Sequence, residues 1–146
     1  MVVTARGEDT WTGTEARDLG AFLADYCDGT HPLGRIVHAV CALCGNGAFT
    51  VLVDDAEGVV GRVCLRCGDR RWMLDSADHA DGARPVEAAC PCGGETFDVA
   101  VGFTLGAGGT VSYVHVALRC IADGTMGVYA DWPQDTEPPD DLVKLV

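Results

Sequence analysis

Apolar positions along the chain recur with two different periods. Leu19, Phe22, Leu23 and Tyr26 stand at i, i+3, i+4 and i+7, the stripe of an amphipathic helix that Thr14 can cap and that ends at Gly29 before Pro32. Beyond Arg35 the pattern changes to alternation or short apolar runs. Ala48 to Val53 and Val59 to Val63 flank the turn Asp-Asp-Ala-Glu-Gly, and Phe97 to Leu105 faces Thr110 to Cys120 across Gly106 to Gly109. Each pair predicts a hairpin, and the apolar runs Arg70 to Leu74 and Thr125 to Trp132 predict a closing strand after each. The expected fold class is mainly β with one N-terminal α-helix, whose stripe must be buried against one or both hairpin units.

The second half of this β region repeats the first. Placing Cys44 on Cys92 aligns Gly45 with Gly93, Phe49 with Phe97, Val51 with Val99 and Val53 with Val101 without a gap. Upstream, Val-His-Ala-Val-Cys ending at Cys41 meets Val-Glu-Ala-Ala-Cys ending at Cys90 with one residue removed. Downstream, Cys120 falls on Cys64 and Asp123 on Cys67. The repeat divides the chain into an N-terminal segment and helix (1–34), a first unit (35–82), a degenerate second unit (83–132) and an acidic, Pro-rich tail (133–146). The tail's Leu142, Val143, Leu145 and Val146 are candidates for an edge strand or a partner contact, and Asp75 to Gly82 reads as a solvated linker.

The repeat matters because cysteines mark its corners. Cys41 and Cys44 read CALCG, and after 19 intervening residues Cys64 and Cys67 read CLRCG. Two such turns, each bringing two thiolates onto one cation, make a four-thiolate metal site, and the glycine after each turn permits the backbone twist that aims amides at sulfur. The second unit offers Cys90, Cys92 and Cys120, with Asp123 where a fourth ligand is wanted. Three thiolates and a carboxylate suit zinc. A metal-free vestige with buried thiols, completion by Cys27 or a histidine, and a three-thiolate site open to water or substrate remain alternatives. Disulfides are the competing use of eight Cys. The start of the chain shows no secretion signal and no apolar run reaches membrane-spanning length, so a reducing, cytoplasmic setting is expected. Cys27 reads as core, His38 and His115 as strand residues on the surface, and His31 and His79 as solvated.

The paired CxxCG knuckles with a hairpin between them resemble the zinc ribbon class, and more loosely rubredoxin, whose like pairs bind iron. The resemblance covers about Arg35 to Ala77 and, in degenerate form, Arg84 to Trp132. It implies two ribbon-like units packed as one globule and a structural Zn2+ at Cys41, Cys44, Cys64 and Cys67; the corresponding group Cys90, Cys92, Cys120 and Asp123 departs from the family pattern in its CxC and its aspartate, so a second Zn2+ there rests on the chemistry of the residues and not on the resemblance. Iron at the first site is the alternative. Zinc ribbons commonly serve transcription or translation assemblies, so an accessory protein of that kind is implied.

Composition alters that picture in one respect. Against 10 Lys and Arg stand 22 Asp and Glu, a formal charge of -12, and bound thiolates add to it. Nucleic acid, held mainly by phosphate contacts, is thereby a poor partner, and another protein a better one. Arg62, Arg66, Arg70 and Arg71 around the second knuckle read as compensation for the thiolates or as a small basic patch. No catalytic triad or phosphate loop is legible, so catalysis, if present, would run through the second cysteine group, with Glu87, Glu95, Asp123 or His115 as base. A single Lys with abundant Ala, Gly, Val and Asp suggests a bacterial source.

Overall fold

A computed structural model of the chain describes residues 2–3, 11–27, 31–136 and 142–146. Its elements in chain order are β1 (Val2–Val3), β2 (Trp11–Thr12), α1 (Asp18–Tyr26), β3 (Arg35–His38), β4 (Phe49–Asp54), β5 (Val59–Cys64) and β6 (Arg70–Trp72). There follow α2 (Ser76–His79), β7 (Val86–Ala88), β8 (Phe97–Leu105), β9 (Val111–Cys120) and β10 (Thr125–Thr136). The described residues are mainly β, with the strands joined in a single sheet.

Both predicted hairpins form. In β4 the burial alternates strictly from Phe49 to Asp54, so Phe49, Val51 and Val53 enter the core while Thr50, Leu52 and Asp54 face outward. Residues Phe49↔Cys64 through Asp54↔Val59 pair across β4 and β5, and Phe97↔Cys120 through Leu105↔Val111 across β8 and β9. The first turn is closed by the Asp54 carboxylate accepting from the Glu57 amide at 3.2 Å, and by Gly58, whose φ of 67° is a left-handed conformation that favours glycine.

The strands that lead into the cysteine turns are exchanged between the hairpins. β3, which precedes Cys41, pairs with β8, while β7, which precedes Cys90, pairs with β4. The registers correspond: Val37 lies on Val101 and His38 on Ala100, just as Val86 lies on Val53 and Glu87 on Leu52. Phe49 and Phe97, which occupy the same place in the repeat, face each other across β4 and β8. The sequence repeat is therefore matched by a local two-fold relation whose centre is this Phe pair. Both rings are fully buried in the main core with Val51, Val99, Val116, Leu118, Tyr129 and the inner cysteines of both turns.

The helix serves one half only. Leu19, Phe22 and Leu23 are buried against Ala100, Ala117, Met126 and Val128, on the side of β8, β9 and β10 that faces away from the main core. Ala100 and Ala117 pair across β8 and β9, and their small side chains leave room for the helix. Cys27, at its end, is buried there too, as expected. Thr14 does not cap α1. The Asp18 carboxylate instead accepts from the Thr14 and Glu15 amides at 2.8 and 3.1 Å, closing the turn from within the helix. The expected stop at Gly29 lies outside the described residues.

Other boundaries move as well. β10 continues through Pro133 to Thr136, with register shifts after Val128 and at Pro133 that accommodate the missing amide. The expected solvated linker contains the short helix α2, anchored by buried Ser76, whose hydroxyl accepts from the Val60 amide at 2.9 Å. Residues 142–146 form a short turn and no edge strand: Leu142 and Val146 are buried in the main core, and the Leu74 amide donates to the Leu145 carbonyl at 2.7 Å. No helix among the described residues is long and apolar enough to cross a membrane.

Candidate metal centres

The open end of each hairpin holds one cysteine group. In the first, the Cys41 amide donates to the Asn46 carbonyl at 2.8 Å and the Gly45 amide to the Cys41 carbonyl at 2.9 Å, while the Gly68 amide repeats the motif on Cys64 at 3.0 Å. Gly45 and Gly68 take φ of 78° and 77°, which a residue with a Cβ adopts only at a cost. The turns bring Cys41 Sγ to 3.5 Å from Cys67 Sγ and Cys44 Sγ to 3.5 Å from Cys64 Sγ, with all four sulfurs within 4.8 Å of one another. Thiolates bonded at about 2.3 Å to a tetrahedral ion stand roughly 3.8 Å apart, so the group fits one zinc-sized cation with all four positions filled.

The second group is built alike with one residue fewer. The Gly93 amide donates to the Cys90 carbonyl and the Gly124 amide to the Cys120 carbonyl, both at 2.8 Å. Cys92 Sγ lies 3.7 Å from Cys120 Sγ, and Cys90 Sγ lies 3.5 Å from Asp123 Oδ1. An oxygen at about 2.0 Å from zinc would stand roughly 3.5 Å from a thiolate at 2.3 Å, so the carboxylate fits the fourth position. Cys27 and His115 belong to the opposite face of the sheet, with α1, and neither approaches this group. These two groups can each hold a metal ion; the arrangement does not specify which metal.

The surroundings favour ionised ligands at chosen positions. Burial would raise the Cys64 thiol, but the Cys67 amide, the Asn46 side chain and the Arg66 amide outweigh it and bring it down to about 6. Cys67, its neighbour in the cluster, is driven the other way to about 12: the Asp69 amide favours the thiolate, yet burial and the remaining sulfurs prevail. In the second group burial pushes Cys90 up to about 12, while the Thr125 amide, 2.9 Å from Oδ1, holds Asp123 at about 2. Asp123 is thus a fixed carboxylate before any metal arrives. A cation would replace this contest among sulfurs by a common partner.

Four residues of these centres were not singled out by spacing. Asn46 Nδ2 reaches Cys64 Sγ at 3.5 Å while also donating to the Ala48 carbonyl at 2.8 Å. Gly94 donates its amide to Cys92 Sγ at 3.3 Å, and a Cβ there would stand 2.7 Å from Cys120 Sγ. Thr125 orients Asp123. Arg62, read from sequence as compensation for the thiolates or as part of a small basic patch, is buried, which rules out the patch for this residue: its guanidinium lies 4.7 Å from the centre of the Phe49 ring and donates to the Val146 carbonyl at 3.1 Å. Burial lowers its pKa, and negative charge on Cys41 and Cys64 acts against that, so it is a fixed cation behind the first centre. The signals available were the polar residue after CxxCG and the doubled glycine of CPCGG.

The histidines divide. His38 and His79 are exposed, as expected, His79 lying 3.3 Å from Asp75. His31, expected to be solvated, is half-buried and stacks on Tyr113 with ring centres 3.9 Å apart; His115 is buried beside Tyr26 and Tyr113, against expectation, because α1 covers the strand face that alternation assigned to solvent. All eight cysteines are free thiols. No protein-family model, no curated protein and no solved structure matches the chain, so its own geometry carries the functional reading.

Proposed function

We propose that the chain is a metal-stabilised protein-interaction module, with zinc at Cys41, Cys44, Cys64 and Cys67 and a second zinc at Cys90, Cys92, Cys120 and Asp123. The observation that carries this is closure of both groups: four ligand atoms within 4.8 Å of one another satisfy a tetrahedral ion and leave no place for a substrate. Metals so held organise the chain. Each joins two turns at the open end of a hairpin, and the two ends meet at Phe49 and Phe97. The ribbon-like units, 35–82 and 83–132, act as one body in this reading, and the charge of -12 directs it toward protein in a cytoplasmic setting, in the manner of transcription or translation accessories.

The test combines metal analysis with binding. Zinc at two per chain and no salt-dependent affinity for DNA or RNA at physiological ionic strength support the proposal. Strong visible absorption from iron at the first site, or nucleic-acid binding with a steep salt slope, overturns it. A second reading, metal handling or catalysis at the second centre, draws support from the exposure of Cys92 and Asp123. Rapid exchange of that metal alone with added Cd2+ would favour it.

A further inference from the structure

The two-fold relation extends to a surface that nothing described covers. Outward-facing residues of the second half, Ala100, Ala117, Met126 and Val128, are the seat of α1. In the repeat alignment their counterparts are Leu52, Gly61, Arg70 and Trp72, and the pairing agrees residue by residue. Leu52 faces Gly61 as Ala100 faces Ala117; Gly61 faces Trp72 as Ala117 faces Val128; Val63 faces Arg70 as Arg119 faces Met126. These four residues line a groove of about 290 Å³. The Trp72 ring lies over buried Gly61, 3.1 Å from where a Cβ would stand, and with 40% of its own surface exposed it forms the apolar floor beside Leu52.

The change in chemistry between the two seats identifies the occupant. Where the helix-covered seat has Met126, the open one has Arg70, with Arg71 and its ion-pair partner Asp69, 2.6 Å away, at the same edge and exposed Glu87 across from Leu52 on β7. The β6 side of the groove thus presents a cation, Arg70, where the seat of α1 presents a thioether, on a chain of charge -12. We infer that the groove binds an amphipathic helix of a partner protein, laid as α1 lies on the other half, with an i, i+3, i+4 apolar stripe on Leu52 and the Trp72 ring and a carboxylate at Arg70. The inference rests on the interaction-module reading and names its surface.

The test uses the zinc-loaded, ¹⁵N-labelled full chain and two helical peptides of about 16 residues that share a Leu stripe and differ only in Glu or Lys beside it. The Glu peptide is expected to shift the amides of Leu52, Gly61, Val63 and Trp72 and to bind at least about tenfold more tightly than the Lys peptide. Arg70→Glu should invert that preference, and Trp72→Ala should weaken both peptides. Equal binding of the two peptides, or shifts at the same amides on concentrating the chain alone, which would make a second copy the occupant, overturns the inference. Peptide shifts confined to another face overturn the groove but leave the interaction module standing. Binding of a dT12 oligonucleotide in the groove overturns both.

Discussion

At Gly94 one methyl group decides whether the second centre can close. A Cβ would stand 2.7 Å from Cys120 Sγ and 3.3 Å from Cys92 Sγ, both fixed by their turns. Gly94→Ala should therefore cost one metal per chain by elemental analysis while the first centre stays filled. Asp123→Ala, which deletes a ligand on an exposed turn, should keep the fold and lower the metal content by no more than one ion. Cys64 is a different case. Its sulfur is approached by Asn46, two amides and Cys44, and it closes the first centre at the buried end of β5. A structural zinc contributes on the order of 10 to 16 kcal/mol of apparent folding free energy, comparable to the whole stability of a domain. Cys64→Ser should abolish the cooperative melt, and a variant that still melts cooperatively by circular dichroism argues against a structural metal there.

Among the elements, α1 illustrates what alternation and spacing convey and what they omit. Its stripe was legible because Leu19, Phe22 and Leu23 repeat at helical period, and both hairpins were legible because their strands alternate around turn residues. That the stripe would cover one or both hairpin units was legible; that it covers the second alone was not, since a seat of Ala100 and Ala117 signals itself by small size and not by hydrophobicity. His115 was misplaced for the same reason: a face that would be solvated in an isolated ribbon is roofed by the helix. The exchange of β3 and β7 also escaped detection, because short strands carry no mark of the hairpin they join. The clustering of the two cysteine groups was readable from spacing and the repeat, whereas Asn46, Gly94 and Thr125 act through geometry that only folding creates. The start of α1 yields a pH prediction. The Asp18 carboxylate is held below its usual value, chiefly by the Thr14 amide and then by the Glu15 amide. A carboxylate depressed on folding stabilises the native state above its unfolded pKa, near 3.8, and that contribution is lost as pH falls through the lower folded value. Asp18→Asn should accordingly lower the melting temperature at pH 7 and lessen its fall between about pH 5 and pH 3.

For the whole molecule, the same plan is used twice with different outcomes. Two hairpins trade leading strands about Phe49 and Phe97, so loss of either ring empties the shared centre. Phe97→Ala should cost about 3 to 5 kcal/mol in denaturant unfolding of the metal-loaded protein. One half is sealed by α1 and has a carboxylate in its cysteine group; the other has four cysteines, a buried arginine behind them and an open groove in front. In the proposed reading, a metal in the first half and the helix on the second supply cohesion, and the groove is left for a partner. Elemental analysis of the purified, reduced chain is the direct measurement: two zinc ions per chain, both removed by a strong chelator with loss of the cooperative melt, is the predicted result. A chain that carries fewer than two, or that melts unchanged after chelation, would contradict it.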